Sequence, residues 1–287
     1  MSKNNVQTGL RITTILVAMV VGVVAITLCC FLALFLNRYQ EAMVQNARTT
    51  SVQAVSQVST TVSNYLSDMR QAMELVEQSM SETDESRDEL LSAFLEFRPD
   101  VVAVTSYSHD GQLLQCWSPD HEPKDNILQN LSFDLEKAQA SQGPYMSAPH
   151  VESIFEGYYP WVVTMTSRLP QDGSAAWVSL DLSFSSISSY MNNVSIGQRG
   201  YCFLMDGDGN MVYHPQQQLL YSGLKSEDTA KLSQMEDGAW ANDTVIYSLT
   251  SVEGSDWRVV GVSYVDELVN RNVSEMVHLS LLIAAMV

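Results

Sequence analysis

Six large aromatic residues, Tyr107, Trp117, Tyr145, Tyr158, Tyr159 and Trp161, crowd one stretch of the chain. Aromatic faces attract cations, by roughly 0.5–2 kcal/mol each. Such walls joined by one carboxylate suit an amine or another small cationic ligand. The same rings can equally fill an apolar core. Strand alternation puts Tyr159 and Trp161 on one face and Tyr158 on the other, so the six cannot all line a single cavity.

The other residues with chemical potential point to little. His109, His121, His150 and His214 show no metal-ligand spacing such as His-x-x-x-His, and no cysteine pair accompanies them. His214-Pro215 reads as a strand end, because proline cannot donate to a ladder. Asp206-Gly207-Asp208-Gly209-Asn210 resembles the opening of a calcium loop but lacks the closing glutamate, so it reads as a turn. No nucleophile, base and oxyanion set is visible, so no catalytic domain and no cofactor is expected. Cys29 and Cys30 sit in an apolar run, and Cys116 and Cys202 adjoin different hairpins. A core rather than a disulfide framework must therefore stabilise the fold.

The elements that would position these residues lie between two apolar runs. Residues 12–36 are almost unbroken in apolarity, and at about 1.5 Å per residue they exceed a ~30 Å hydrocarbon core. The run is too long for a signal-peptide core and no Ala-x-Ala-like site follows it. A second run starts at Met276, and we expect it to continue into a second transmembrane helix beyond Val287. Lys3 and Arg11 on one side of the first run are matched by Arg38 and Arg48 on the other, so basic residues alone leave the orientation open. Residues 37–275 hold 33 acidic against 13 basic residues, a net charge of −20. Nucleic acid is excluded as a partner on that ground. Anionic headgroups would also repel the domain, which suits one standing off the bilayer, while the same charge serves equally to keep it soluble.

From Arg38 to Met80 there is no glycine or proline, and the spacing predicts one long helix. Val55, Val58, Val62, Tyr65, Met69, Ala72 and Val76 recur in steps of three and four, a seam for a dimer partner or for the rest of its own domain. Arg48 and Ser51 break that seam toward the membrane. Ser81 to Glu89 reads as a solvated turn and helix start. After Pro99 the period becomes strand-like. Val101 to Tyr107, Asp110-Gly111 and Gln112 to Trp117 predict a hairpin, and Gly200 to Met205, Asp208-Gly209-Asn210 and Met211 to Pro215 predict another. Tyr159 to Ser167, a glycine turn, Trp177 to Leu182 and a helical Ser183 to Met191 are answered by Thr244 to Thr250, a glycine turn, Trp257 to Val262 and a helical Tyr264 to Arg271. Trp177 and Trp257 are thus equivalent packing positions. This duplication predicts two tandem modules.

The stretch Gly200-Tyr201-Cys202-Phe203-Leu204-Met205-Asp206-Gly207-Asp208-Gly209-Asn210-Met211-Val212-Tyr213-His214-Pro215 resembles the membrane-proximal signature of double Cache domains, the PAS-like extracellular sensors of bacteria. Gln216 to Leu224 and Gly254 to Val262 resemble, more narrowly, those of Gram-positive sensor histidine kinases. The resemblance spans roughly residues 10–280. It implies a mixed α/β (α+β) fold: a long N-terminal helix plus two tandem PAS-like antiparallel sheets of five strands, flanked by transmembrane helices. The implied organisation is a cytoplasmic tail (1–11), a transmembrane helix (12–36), a spine or dimer helix (37–80), a membrane-distal module (81–191), a membrane-proximal module (192–275) and the start of a second transmembrane helix (276–287).

On this resemblance the soluble part faces outward from the plasma membrane, binds a small solute in the distal module and signals through the second membrane helix, to a histidine kinase. A chemotaxis receptor, a nucleotide-cyclase sensor and a ligand-free structural or protein-binding ectodomain stay open as alternatives. The implied partners are the lipid bilayer, a second copy in a homodimer and an extracellular small molecule. No Arg-x-Trp-Tyr pattern precedes Tyr145, which counts against a generic amino-acid receptor. The aspartate that holds a ligand ammonium in many members is matched by Asp181. Asp181 also sits where it could cap the following helix. The candidate ligand-binding set is Asp181, Tyr159, Trp161, Tyr145, Trp117 and Tyr107.

Overall fold

The computed structural model describes residues 3–125, 135–141, 143–170, 173–192, 194, 196–242 and 244–265. Its backbone is organised around one helix, α1 (Lys3–Ser79), about 115 Å long at 1.5 Å per residue. Thr14–Ser79 contains the one stretch among the described residues long and apolar enough to cross a membrane, by length and composition. Large apolar side chains from Ile15 to Phe35 are exposed there, as a lipid-facing helix requires. The second apolar run, from Met276, lies outside the described residues.

Past this apolar segment, α1 becomes the spine of two sheets. The seam from Val55 to Val76 is buried throughout and packs on the chain's own sheets. Its periodicity marks an intramolecular core. Ser51 differs from the expectation: it is fully buried and extends the packed face. Its Oγ accepts from the hydroxyls of Ser248 (2.8 Å) and Ser263 (3.3 Å), so a polar side chain serves at a core position by pairing with others. A turn leads to α2 (Asp84–Phe97). That segment is less solvated than its six charges suggest, since Arg87 is buried.

The distal sheet is formed by β1 (Val101–Tyr107), β2 (Leu113–Trp117), β3 (Tyr145–Met146), β4 (His150–Val151), β5 (Trp161–Arg168) and β6 (Trp177–Ser183), with the short α3 (Leu135–Ala140) in the connection after β2. The order is β2-β1-β6-β5-β3, all antiparallel, with β4 also on β5. The sheet has six strands rather than five, because two-residue strands share the β5 edge. Then come α4 (Phe184–Asn192), β7 (Tyr201–Met205), β8 (Met211–Tyr213), α5 (Gln217–Tyr221), α6 (Thr229–Leu232), β9 (Gly238–Ala241), β10 (Val245–Ser251) and β11 (Arg258–Tyr264). The second sheet, β8-β7-β11-β10-β9, repeats the plan of the first. Both expected hairpins form, with Gly111 and Gly209 at positive φ in their turns.

Trp177 and Trp257 are both buried but on opposite sides. Trp177 opens β6 and packs on the outer face, whereas Trp257 lies one residue before β11 and packs against the spine. A one-residue offset in a strand reverses the face, so repeat equivalence in sequence did not carry over to packing. Of the helical stretch expected after β11, Tyr264 is still strand, and residues from 266 lie outside the described set. Asp206 folds its loop as a turn, its Oδ1 accepting from the amides of Asp208 (3.0 Å) and Asn210 (2.7 Å). Cys116 and Cys202 are free thiols in separate clusters.

Candidate functional site

The inner face of the distal sheet meets α1 through Val101, Val104, Val163, Met165, Val178, Leu180 and Leu182. Alternation sends the intervening side chains outward. That outer face carries a buried polar band: Thr105 on β1, Thr164 and Thr166 on β5, and Ser179 and Asp181 on β6. Asp181 stands opposite Ala103 on one side and Thr164 on the other; Ser179 stands between Thr105 and Thr166. Around the band lie Tyr107, Leu113, Trp177, Ala138, Ile154 and Phe155, with Tyr145, Cys116 and Tyr158 half-buried beside them.

Asp181 is 2 % exposed. Thr164 Oγ1 donates to its Oδ1 at 2.6 Å, and its Oδ2 has no hydrogen-bond partner among the described residues. Burial raises its pKa well above the ordinary carboxylate range, and the charge of Glu152 adds to the rise. Glu152 is itself buried and accepts from the amides of Ser153 (2.6 Å) and Ile154 (2.8 Å). His150 Nε2 lies 3.9 Å from Glu152 Oε2, and that carboxylate raises the imidazole pKa. Burial, and then Asp181 and Glu152, push the Cys116 thiol up to about 12. Burial and Asp181 raise the Tyr107 phenol as well, and Thr105 Oγ1 lies 3.3 Å from the Tyr107 hydroxyl. Two carboxylates thus share an apolar, aromatic-walled region. Among the described residues neither pairs with a lysine or arginine. An unpaired buried acceptor costs about 1–3 kcal/mol.

Of the six residues singled out from sequence, the fold brings Asp181, Tyr107 and Tyr145 to this face. Trp117 is elsewhere: its side chain packs toward the spine, its Nε1 donates to Asp88 Oδ1 at 2.7 Å, and Arg87 lies over its ring. Tyr159 is 56 % exposed beside Lys124. Trp161 packs on Phe184 and lines an inter-sheet cleft of about 940 Å³ with Tyr213 and His214. The β1–β2 register shift between Ser106 and Tyr107 turned Trp117 away, and Tyr159 and Trp161 flank the start of β5, beyond the polar band. Tyr158, on the opposite parity, joins the outer cluster, stacked on His121 at 3.8 Å. Asp181 caps no helix, because β6 continues through Ser183 and its carboxylate turns to Thr164. Glu152, His150 and Thr164 were not anticipated. The alternation Thr164-x-Thr166 and Ser179-x-Asp181 within apolar strands was a usable signal for half of the site; Glu152 sits in irregular chain and left none.

A family model described as "Cache domain" matches residues 37–271. The chain belongs to the Cache domain family. Cache domains are extracellular sensor domains of membrane receptors. No curated protein matches the chain. Among solved structures, this Cache domain resembles the ligand-binding domain of the Pseudomonas aeruginosa amino-acid chemoreceptor PctB in complex with L-arginine (TM-score 0.60, 19 % identity, 78 % of this chain and 97 % of that one). It also resembles the sensory domain of the Campylobacter jejuni chemoreceptor Tlp3 with isoleucine bound (TM-score 0.60, 12 % identity, 80 % and 97 %). A third is the P. aeruginosa chemoreceptor PctC domain with GABA (TM-score 0.55, 13 % identity, 75 % and 98 %). At these identities the likeness is one of fold.

Proposed function

We propose that this Cache domain is the ligand-sensing region of a bacterial plasma-membrane receptor, and that its ligand is a small amine-bearing solute held at the outer face of the distal sheet. The observation that carries this reading is Asp181 Oδ2, buried without a partner among the described residues, beside the second buried carboxylate Glu152. A ligand ammonium donating to Asp181 supplies the missing hydrogen bond and offsets the local negative charge, a gain of the size expected for a charge-assisted bond. Tyr107 and Tyr145 form walls for its carbon skeleton, and Tyr158 joins them. The relatives described above were solved with L-arginine, isoleucine and GABA, each of which carries an amino group. A ligand of that class needs no basic residue at its ammonium end.

Signalling requires that the ligand bind two arrangements of the domain with different affinity. The arrangement it favours displaces the proximal sheet along α1 and thereby the membrane helix expected from Met276. The cytoplasmic output is a histidine kinase, a chemotaxis signalling helix or a nucleotide cyclase; all three make the same demand on this region. The test is a thermal-shift screen of the chain against putrescine, GABA, L-arginine, succinate and glucose. An amine that raises Tm in the parent and not in Asp181→Ala supports the assignment. A Tm rise of equal size in both proteins moves the site away from Asp181.

A further inference from the structure

The inner side of the same sheet holds a second, unassigned pocket. A cavity of about 660 Å³ lies where the end of α1, the first turns of α2, the β1–β2 hairpin and the chain around Leu169 and Ser174 converge. Two of its lining residues carry buried polar atoms with no hydrogen-bond partner among the described residues: Arg87 Nε and Ser106 Oγ. Ser106 is 1 % exposed and Arg87 is 9 % exposed. They are close neighbours in the fold. Ser106 pairs across the ladder with Gln115, whose Oε1 accepts from Arg87 Nη2 at 3.3 Å.

Arg87 does not have an equal partner. Its other contact is Asp84, where Nη2 donates to Oδ1 at 2.5 Å, but that carboxylate is 88 % exposed while the guanidinium is 11 % exposed. A solvated carboxylate contributes little to a buried cation and can leave without cost to itself. The N-terminal turn of α2 lines the same cavity, and its N-cap residue Thr83 makes no side-chain cap. Its first amides add donors, while Asp84 and Glu85 in the same turn offset the positive end of the helix dipole. A buried arginine held over a tryptophan, with Nε–H unused, is arranged to receive an oxyanion.

We propose that this cavity binds a small carboxylate-bearing solute, one carboxylate oxygen accepting from Arg87 Nε–H and the other from the Ser106 hydroxyl. Two orphan donors match the two oxygens of one carboxylate group. Phosphate would present further oxygens that these two donors leave unmet. The pocket is independent of the amine site, because Ser106 points to the opposite face of β1 from Thr105 and Tyr107. The amine site and this cavity thus lie on opposite faces of the distal sheet.

The test is isothermal titration calorimetry of succinate into the full chain in lipid nanodiscs, with phosphate as the second probe. Saturable succinate binding is expected, weakened at least about tenfold in Arg87→Gln, the loss of one charge-assisted bond. A several-fold weakening is expected in Ser106→Ala, with Asp181→Ala unchanged. Should Arg87→Gln fail to fold, Ser106→Ala alone decides, since it removes a hydroxyl and adds no bulk. No saturable heat in the parent protein, or equal affinity in the variants, overturns the site. Tighter binding of phosphate than of succinate overturns the carboxylate assignment.

Discussion

The two sheets share strand order and antiparallel pairing, yet their outer faces are opposites at equivalent positions. In the distal sheet the cross-strand rows are Ala103, Asp181, Thr164 and Thr105, Ser179, Thr166. In the proximal sheet the corresponding rows are Tyr201, Val262, Tyr247 and Phe203, Val260, Leu249. One face buries hydroxyls and a carboxylate; the other is filled with apolar and aromatic side chains. The proximal polar groups are confined to the rim, where Tyr201 donates to Glu227 at 2.6 Å and His214 lies 3.3 Å from the same carboxylate. The duplicated scaffold therefore supplies a platform twice. Among the described residues only the distal outer face leaves a buried carboxylate oxygen without a partner, and that difference favours binding there.

The contrast can be broken most severely from the proximal side. Val262→Asp buries a carboxylate in an apolar cluster between the rings of Tyr201 and Tyr247, and should cost roughly 3–5 kcal/mol in urea denaturation. Phe203→Ala should follow closely, at about 3–5 kcal/mol, by opening a cavity in a fully buried cluster. Asp181→Val runs the other way. It removes a desolvated carboxylate and should leave the unliganded domain as stable as the parent or more stable by up to about 4 kcal/mol, while abolishing amine binding. Loss of stability in that variant would mean that the distal carboxylate supports the fold rather than a ligand.

The same contrast has a pH signature. The folded pKa of Asp181 is raised, so between its unfolded and folded values the native state holds more protons than the unfolded chain. Stability then falls as pH rises through that interval, and the penalty is complete above the folded pKa. Asp181→Asn removes the titration. Melting curves from pH 4 to 8 should converge at the acid end and separate upward, with the variant the more stable. A saturating amine should close that gap, since it restores a partner to the charged form.

Much of the scaffold was legible before any coordinates. The spine seam from Val55 to Val76, both hairpins and the duplication all follow from periods of 3.6 and 2 and from turn glycines. The polar band was readable only in part. Asp181 stood out by resemblance, but its neighbours Thr105, Thr164, Thr166 and Ser179 look like ordinary strand residues until cross-strand register places them in two rows. Aromatic type was a poor guide to position. Trp117 and Trp161 carry the residue chemistry of a cation site and lie outside it, because a register shift in one case and a strand start in the other set their direction. Glu152 is held by the amides of Ser153 and Ile154 in irregular chain, where no period announces a side-chain direction.

The smallest predicted effect concerns how the two sheets grip the spine. The distal sheet holds α1 through Leu66, Met69, Met73 and Val76, all buried, each contributing about 1.5–3 kcal/mol of transfer free energy. The proximal sheet adds hydroxyls: Ser59 Oγ donates to the carbonyl of Ser251 at 2.7 Å, Ser63 Oγ to that of Glu253 at 3.1 Å, and Ser51 meets Ser248 and Ser263. At Gly261 a Cβ would collide with Val55 and Ile196, so helix and strand approach as closely as the backbones permit. Met69→Ala should therefore cost about 2–5 kcal/mol. Ser51→Ala should cost only about 0.5–1.5 kcal/mol, because Ser248 and Ser263, already within reach of one hydroxyl, can turn toward each other. Adding Ser248→Ala to Ser51→Ala should then cost less than the sum of the two, a coupling that a double-mutant cycle reads directly. Strict additivity would show that the hydroxyls of Ser51 and Ser248 act separately.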